Sequence, residues 1–497
     1  MKNHLYITYM LILILVCTFE NANGQSIKLS LDQTIKMAQE FSLDIFRAKN
    51  MYQIKELNYQ DYMVELNPHM NFRLTPVDYS RSIIEEYNSD LKKYESVEIQ
   101  RLTSDYSLNI DQKVGFTGGT INVSSSLMRS QRYGTNSDNN LDFISTPLSV
   151  RYYQNFAQIN TYKWKAKIEP LRFEQAKLEF IEQREQISVT TVNLFFNLLG
   201  AQNNYNIARL NRGNAESLIT IGKQRGEIGA ISRDDLLNLE LSQINAKINE
   251  EQAKNNLENA RLDLCEFLEL PLNTAIKCLA PEQVYLTRIN VEQAQLIAEK
   301  NNPGSHYLIQ NLLEVKQQVK VAKRSRYDIS LEVGAGLNQN KQILSEAFQD
   351  LLNKQNFRVS LNIPIMNWRE TKRHIQRASL NEQLAIKESQ KVKDRLQIEV
   401  VKITNEFNIK PSELFSAAKA DTISQYAYEV TQQRFTQGKV NVISINESYR
   451  SMYSARNQYL NALRNYWYYY YAIRKLCLYD FEANIDLKAD FDQMIVR

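Results

Sequence analysis

The sequence predicts a mainly helical chain with a membrane β-barrel section, its long coiled-coil hairpins arranged as two internal repeats. Three observations lead there. First, Gln224-Arg225-Gly226-Glu227-Ile228-Gly229-Ala230-Ile231-Ser232 recurs in outline as Gln433-Arg434-Phe435-Thr436-Gln437-Gly438-Lys439-Val440-Asn441, 209 residues further on, each copy a glycine turn between two long periodic runs. Second, 14 Gly and 9 Pro in 497 residues are few for an all-strand chain and favour long uninterrupted helices. Third, alternating runs interrupt the helical pattern, and no apolar stretch after the leader approaches the roughly 20 residues of a spanning helix. Any passage through a membrane must then be made by strands.

Residues 1–24 read as a secretory signal peptide, because Lys2 and His4 precede the apolar run from Ile7 to Val16 and Ala22-Asn23-Gly24 forms a small-x-small cleavage site. Cys17 follows Val16, which is not the small residue that lipid attachment prefers. From Leu31 to Leu66, Ile35, Ala38, Ile45, Ala48, Met51 and Ile54 fall mostly at threes and fours, and Asn67-Pro68 stops the pattern, as for one helix. The start recurs where Ser30-Leu31-Asp32-Gln33 matches Asn290-Val291-Glu292-Gln293, so two repeats begin near Ser30 and Asn290.

Strands come next in both repeats. The first shows Leu108, Ile110, Val114 and Phe116, a tight turn at Thr117-Gly118-Gly119, then Ile121, Val123 and Leu127, with a further run from Leu148 to Tyr152. The second shows Leu331, Val333, Ala335 and Leu337, then Phe357, Val359, Leu361, Ile363 and Ile365, as two half-buried strands. The first repeat is longer by about 51 residues, chiefly polar stretches at Tyr79 to Ser107 and Met128 to Thr146, which are expected to be surface loops at the exposed end of a barrel.

The longest helices follow. Ile168 to Gly222 would run roughly 80 Å if continuous. Val189, Val192, Phe196 and Leu199, and on the return Ala253, Leu257, Ala260, Leu264 and Phe267, keep coiled-coil spacing. Val392, Leu396, Val400, Ile403 and Phe407 answer in the second repeat, where Pro411 is expected to kink or break the outgoing helix. Tyr466 to Tyr471, almost all tyrosine, continues a seam through Leu463, Tyr466, Tyr470 and Ile473 and is expected to pack on a neighbouring helix.

Composition excludes several classes. With 60 Lys and Arg against 56 Asp and Glu, the net charge of +4 offers no field for nucleic acid. His69, His306 and His374 are widely separated, and there is no CxxC pair, no GxSxG elbow and no phosphate-cradling glycine loop, so no catalytic residue, metal or cofactor is called for and the chain does not read as an enzyme. Cys265, Cys278 and Cys477 form no disulfide framework; the first two either pair after export or stay as inert buried thiols. Gly229 and Gly438 are either plain helix stops or parts of a docking surface. Each turn resumes with Ile231 or Val440, then Ser232 or Asn441, and that shared sequel favours docking.

In this order and duplication the chain resembles the outer membrane efflux protein family, the TolC-like exit ducts. The likeness covers nearly the whole mature chain and includes Ile363-Pro364 closing a strand before a long helix. It implies a homotrimer in which each copy gives strands to one shared outer-membrane barrel and helices to a periplasmic α-barrel. Strand physics agrees, since a few strands cannot close a barrel alone and open edges are not tolerated in lipid. The implied segments are 1–24 signal peptide, 25–69 leading helix, 70–160 strands and loops, 161–270 long hairpin, 271–289 linker, 290–327 second leading helix, 328–366 second strands, 367–478 second hairpin and 479–497 tail. The implied partners are a periplasmic adaptor, an inner-membrane transporter of RND, ABC or MFS type, and outer-membrane lipid. Adaptor contact would fall at Gly229, Ile231, Ser232, Gly438, Val440 and Asn441. Matching the family's acidic entrance by position gives Ser444 and Glu447, of which only Glu447 is acidic, with Asp234 and Asp235 on the other turn as substitutes. The competing expectation is a periplasmic coiled-coil scaffold that never enters the membrane. Cargo stays open, whether drugs, metal ions, peptides, proteins or, by a related route, polysaccharide.

Overall fold

The computed structural model describes residues 27–88, 92–133, 141–229, 231–281, 288–326, 328–363, 366, 368–437 and 439–491. The signal-peptide segment, Pro364 and Gly438 lie outside the described residues. The chain divides into two compact units. One comprises the chain through Gln53, Ala176–Ser305 and everything from Val392; the other comprises Ile54–Gln175 and His306–Lys391.

In chain order the elements are β1 (Ile27–Leu29), α1 (Leu31–Phe41), α2 (Leu43–Val64), β2 (His69–Asn88), β3 (Lys93–Val114), β4 (Gly119–Tyr133), β5 (Leu141–Asn155), α3 (Thr161–Glu227), α4 (Arg233–Phe267) and β6 (Ile276–Cys278). Then come α5 (Val291–Asn301), α6 (Pro303–Arg324), β7 (Asp328–Lys341), β8 (Leu352–Asn362), α7 (Glu370–Thr436), α8 (Val442–Cys477) and the short pair β9 (Tyr479–Asp480) and β10 (Ile485–Asp486). Most of the described chain is helix, beside one substantial sheet.

The predicted starts are capped. Ser30 Oγ accepts from the Gln33 amide while Gln33 accepts from the Ser30 amide, a reciprocal capping box. Asn290 accepts from the amides of Glu292 and Gln293. The single helix expected over 31–66 is instead two, because Ser42 leaves helical geometry (φ −63°, ψ 150°). Its hydroxyl donates to Ala38 O at 2.6 Å and accepts from the Ile45 amide at 3.3 Å, so one side chain ends α1 and caps α2. Asn302 breaks α5 from α6 in the same manner, its side chain accepting from the Gly304 amide at 2.9 Å.

In the helical unit the core centres on α3, α7 and α8. Phe195, Leu198, Leu463, Tyr466 and Ile473 are fully buried, with Val192, Val400 and Phe407 beside them in the seams predicted from spacing. The aromatic run packs inward, with the Tyr466 ring 5.7 Å from that of Phe407 and Tyr470 and Tyr471 both buried. Arg474 on α8 is held between Glu185 at 3.1 Å and Asp480 at 2.6 Å; burial alone would weaken its charge, but these carboxylates and Tyr470 more than offset that. Pro411 sits inside α7 without ending it. A proline removes one amide and crowds one carbonyl, and packing of Phe407 and Leu414 on either side holds the helix across that local loss. The three described cysteines are free and buried, and burial pushes the thiols of Cys278 and Cys477 up to about 12.

The sheet of the other unit has the order β2-β3-β4-β5-β7-β8, antiparallel throughout. The β3–β4 turn needs its glycines: Gly118 has φ +84°, and a side chain on Gly119 would run into the Tyr153 carbonyl. In their described residues the stretches expected as surface loops are strands. Tyr79 pairs with Leu102 and the ladder continues to Asn88 with Lys93, while Met128 pairs with Ile144 and Gln131 with Leu141. Where the β2–β3 ribbon runs beyond β4 it is largely exposed and needs no apolar alternation; its main-chain ladder suffices together with cross-strand contacts such as Arg81–Glu98 at 2.8 Å and Tyr79 to Gln100 at 3.1 Å. The apolar residues of β8 are not half-buried but exposed, Phe357 at 73% and Val359 at 59%. No described helix is long and apolar enough to cross a membrane.

Candidate hairpin-tip site

Two turns, α3 to α4 and α7 to α8, come together in the helical unit. Gly229 takes the left-handed conformation (φ +69°) and its amide donates to Gly226 O at 3.1 Å, so it does end a helix. Ser232 caps α4 and Asn441 caps α8. The Ser232 hydroxyl accepts from the Asp235 amide and donates to the Asp235 carboxylate at 2.8 Å, while Asn441 accepts from both the amide and the hydroxyl of Ser444. Four of the predicted residues thus act as two local caps. Asp234 is exposed in the first turn of α4, where a carboxylate is favoured by the helix dipole, and Glu447 is exposed on α8.

Ile231 and Val440 share a neighbourhood. Both lie against one apolar cluster of Ile219, Leu239, Tyr428, Phe435, Val442 and Ile445, drawn from all four helices of the two hairpins. Polar contacts cross the same boundary. Arg225 donates to Thr436 O at 3.1 Å and Phe435 O at 3.4 Å with its guanidinium 5.8 Å from the Phe435 ring, Asn214 donates to the Tyr428 hydroxyl at 2.9 Å, and Ser242 donates to Asn446 at 3.4 Å. Further along, Arg456 of α8 bonds Asp421 of α7 at 2.8 Å and Asn203 of α3 at 3.3 Å.

Sequence reasoning missed Arg225, Tyr428 and Phe435. A signal was present: aligning the two turns sets Phe435 against Gly226, a large ring in one copy where the other has no side chain. No cluster of three or more His, Cys, Asp or Glu suited to a metal occurs among the described residues.

The fold, with its antiparallel sheet and long helical hairpins, is shared with solved outer-membrane channels. The chain superposes on the Campylobacter jejuni CmeC outer membrane channel with TM-score 0.66 and 14% identity, covering 93% of this chain and 88% of that one. It likewise matches the outer membrane protein VceC of Vibrio cholerae (TM-score 0.62, 11% identity, 90% and 95% covered) and the Neisseria gonorrhoeae MtrE outer membrane channel in its open state (0.58, 14%, 93% and 90%). No curated protein matches in sequence.

Residues 306–476, from α6 through nearly all of α8, match the family described as Outer membrane efflux protein. The matched residues make up about a third of the chain.

Proposed function

We propose that the chain is the outer-membrane exit duct of a tripartite efflux or type I secretion system, working as a homotrimer. It performs no chemistry; an inner-membrane transporter supplies energy and a periplasmic adaptor couples to the paired turns. The observation that carries this is the open sheet. Among the described residues β2 and β8 have a neighbour on one side only, yet β8 exposes Phe357, Val359 and Leu361. An exposed apolar strand with a free edge is stable in lipid only when another strand completes it, so copies must close the ring together. The near-equal lengths of α3 and α7 (67 residues each) and of α4 and α8 (35 and 36) support the reading of the two hairpins as repeats.

In this reading Ile231, Val440 and the caps at Ser232 and Asn441, with Gly229 and Gly438, present the adaptor contact. Glu447, Asp234 and Asp235 line the entrance and favour cations there. The scaffold alternative gains nothing from exposed apolar strands. Outer-membrane fractionation with heat-modifiable gel migration is the expected behaviour, and a soluble periplasmic monomer would refute the duct. In planar bilayers Glu447→Gln should lower cation preference; an unchanged reversal potential would remove Glu447 from the entrance.

A further inference from the structure

The six strands of the sheet sort their side chains onto two faces, and over three successive rows the sorting runs from edge to edge. Directly paired residues share a face. One row reads Asn71, Asn109, Ser124, Ser149, Gly336, Lys354 across β2, β3, β4, β5, β7 and β8, and the next polar row reads His69, Asp111, Asn122, Arg151, Gly334, Asn356. Between these, on the opposite face, lies Met70, Ile110, Val123, Val150, Ala335, Gln355, apolar in five strands of six. The apolar side continues through Phe72 and Leu108 at one edge and through Val333 and Phe357 at the other.

We propose that all six strands, β2 and β3 included, are membrane-spanning staves, so that each copy gives six strands to the barrel and a trimer closes eighteen. The inference rests on the duct reading given above. Its ground is that β2 and β3 carry the same apolar belt as their neighbours, with Met70 68% and Phe72 65% exposed. A ribbon lying outside the bilayer has no cause to sort its faces in register with a lipid-facing sheet. The chain supplies its own contrast: beyond Gln100 the β2–β3 ribbon has no β4 partner, and there Ile83 and Ile84, adjacent and therefore on opposite faces, are both exposed.

The occupant of each free edge is a second copy of this chain. Strand direction alternates along the sheet, so β2 and β8, at the two ends of an even number of strands, run opposite ways. A neighbouring copy's β2 then meets β8 antiparallel, and the contact is head-to-tail, as a ring requires. With strands about 4.8 Å apart and tilted about 40°, eighteen give a barrel about 36 Å across between backbones, against about 24 Å for twelve. The polar rows then face a water-filled lumen wide enough that the barrel does not select among cargoes by size up to a polypeptide segment.

Cysteine labelling in outer-membrane vesicles with a water-soluble maleimide tests this, since Cys265, Cys278 and Cys477 are buried. Phe72→Cys and Leu108→Cys should label at least tenfold more slowly than Asn71→Cys and Asn109→Cys, as slowly as Val333→Cys and Phe357→Cys. If Phe72→Cys and Leu108→Cys label as fast as Asn71→Cys while the β7 and β8 positions stay protected, β2 and β3 lie outside the lipid; the inference fails and the duct reading stands. If the β7 and β8 positions also label fast, the sheet is not in lipid and the duct reading fails with it. Independently of any variant, electron microscopy of the purified unmodified protein should count eighteen staves in the trimer, and twelve would overturn the inference.

Discussion

Arg225 is the most direct test of how the two hairpin tips hold each other. Its guanidinium leaves the last turn of α3 and donates to the free carbonyls at the end of α7, at 3.1 Å to Thr436 O and 3.4 Å to Phe435 O, while lying 5.8 Å from the Phe435 ring. The end of a helix carries partial negative charge, so a cation there is favoured. Arg225 is half-buried rather than enclosed. One charge-assisted bond at such a site contributes about 1 kcal/mol, and the cation–ring contact adds about 0.5 kcal/mol. Arg225→Ala should then lower the local opening free energy of the tip by about 1.5 kcal/mol, roughly a tenfold rise in the open population. Hydrogen exchange by mass spectrometry on the intact protein reads this as about tenfold faster exchange in peptides covering Phe435 to Ile445, with exchange near Tyr466 unchanged. Arg434, which occupies the matching place in the other turn and is exposed, serves as the control. Equal exchange in wild type and Arg225→Ala, or an equal effect of Arg434→Ala, would refute the clamp.

Two further predictions concern stability. On α3, a methyl group at exposed Gly213 meets nothing within 4 Å, whereas one at buried Gly222 collides with Leu239 Cδ1. Gly213→Ala should therefore stabilise by about 0.5–1 kcal/mol through helix propensity, and Gly222→Ala should destabilise by about 1–3 kcal/mol through overpacking; chemical denaturation followed by circular dichroism should show opposite signs. Near the start of β2, burial would raise the Glu65 carboxyl, but hydrogen bonds from Lys165 at 2.6 Å and Lys113 at 3.3 Å prevail and hold it below its usual value. A carboxyl depressed in the folded state contributes stability above its unfolded value, about pH 4.3, and that contribution is lost as pH falls through the folded value. Glu65→Gln should flatten this acid-side loss of stability, and an unaltered acid profile would show that the lysines do not hold it.

Much of the helical architecture was legible because it is written in short-range patterns. Ser30 and Asn290 announce caps, the spacing of Val192 and Phe196 or Val400 and Phe407 announces seams, and the structure buries those four residues. The ribbon over Tyr79 to Ser107 was not legible, since its upper part is stabilised by main-chain pairing and charge pairs that leave no apolar period. Ser42 was overlooked for a related reason: its apolar neighbours keep helical spacing across the break, and only its hydroxyl, bonding to Ala38 and Ile45, ends one helix and starts the next. At the tip, the residues chosen from the turn itself proved to be caps and flanking contacts. The partners that join the hairpins lie up to four turns back along the helices, at Asn214, Arg225, Tyr428 and Phe435, and apart from Phe435, which the repeat sets against Gly226, only long-range pairing selects them.

The tip cluster also explains why helix length is the constrained quantity in this chain. Leu239 and Ile219 of one hairpin meet Tyr428, Phe435 and Ile445 of the other, so each turn must arrive at the same level and rotation. Adding one residue to a helix raises everything beyond it by about 1.5 Å and rotates it by about 100°, which would carry Phe435 out of the cluster. The Arg456–Asp421 pair fixes the level of α8 against α7 below the tip, and Arg225 fixes α3 against α7 at its end. Two arms with diverged side chains keep matched lengths because one shared core reads both. An adaptor that separates the turns must open that core, and the apolar surface it would uncover at Ile231 and Val440 is the surface on which it is proposed to dock.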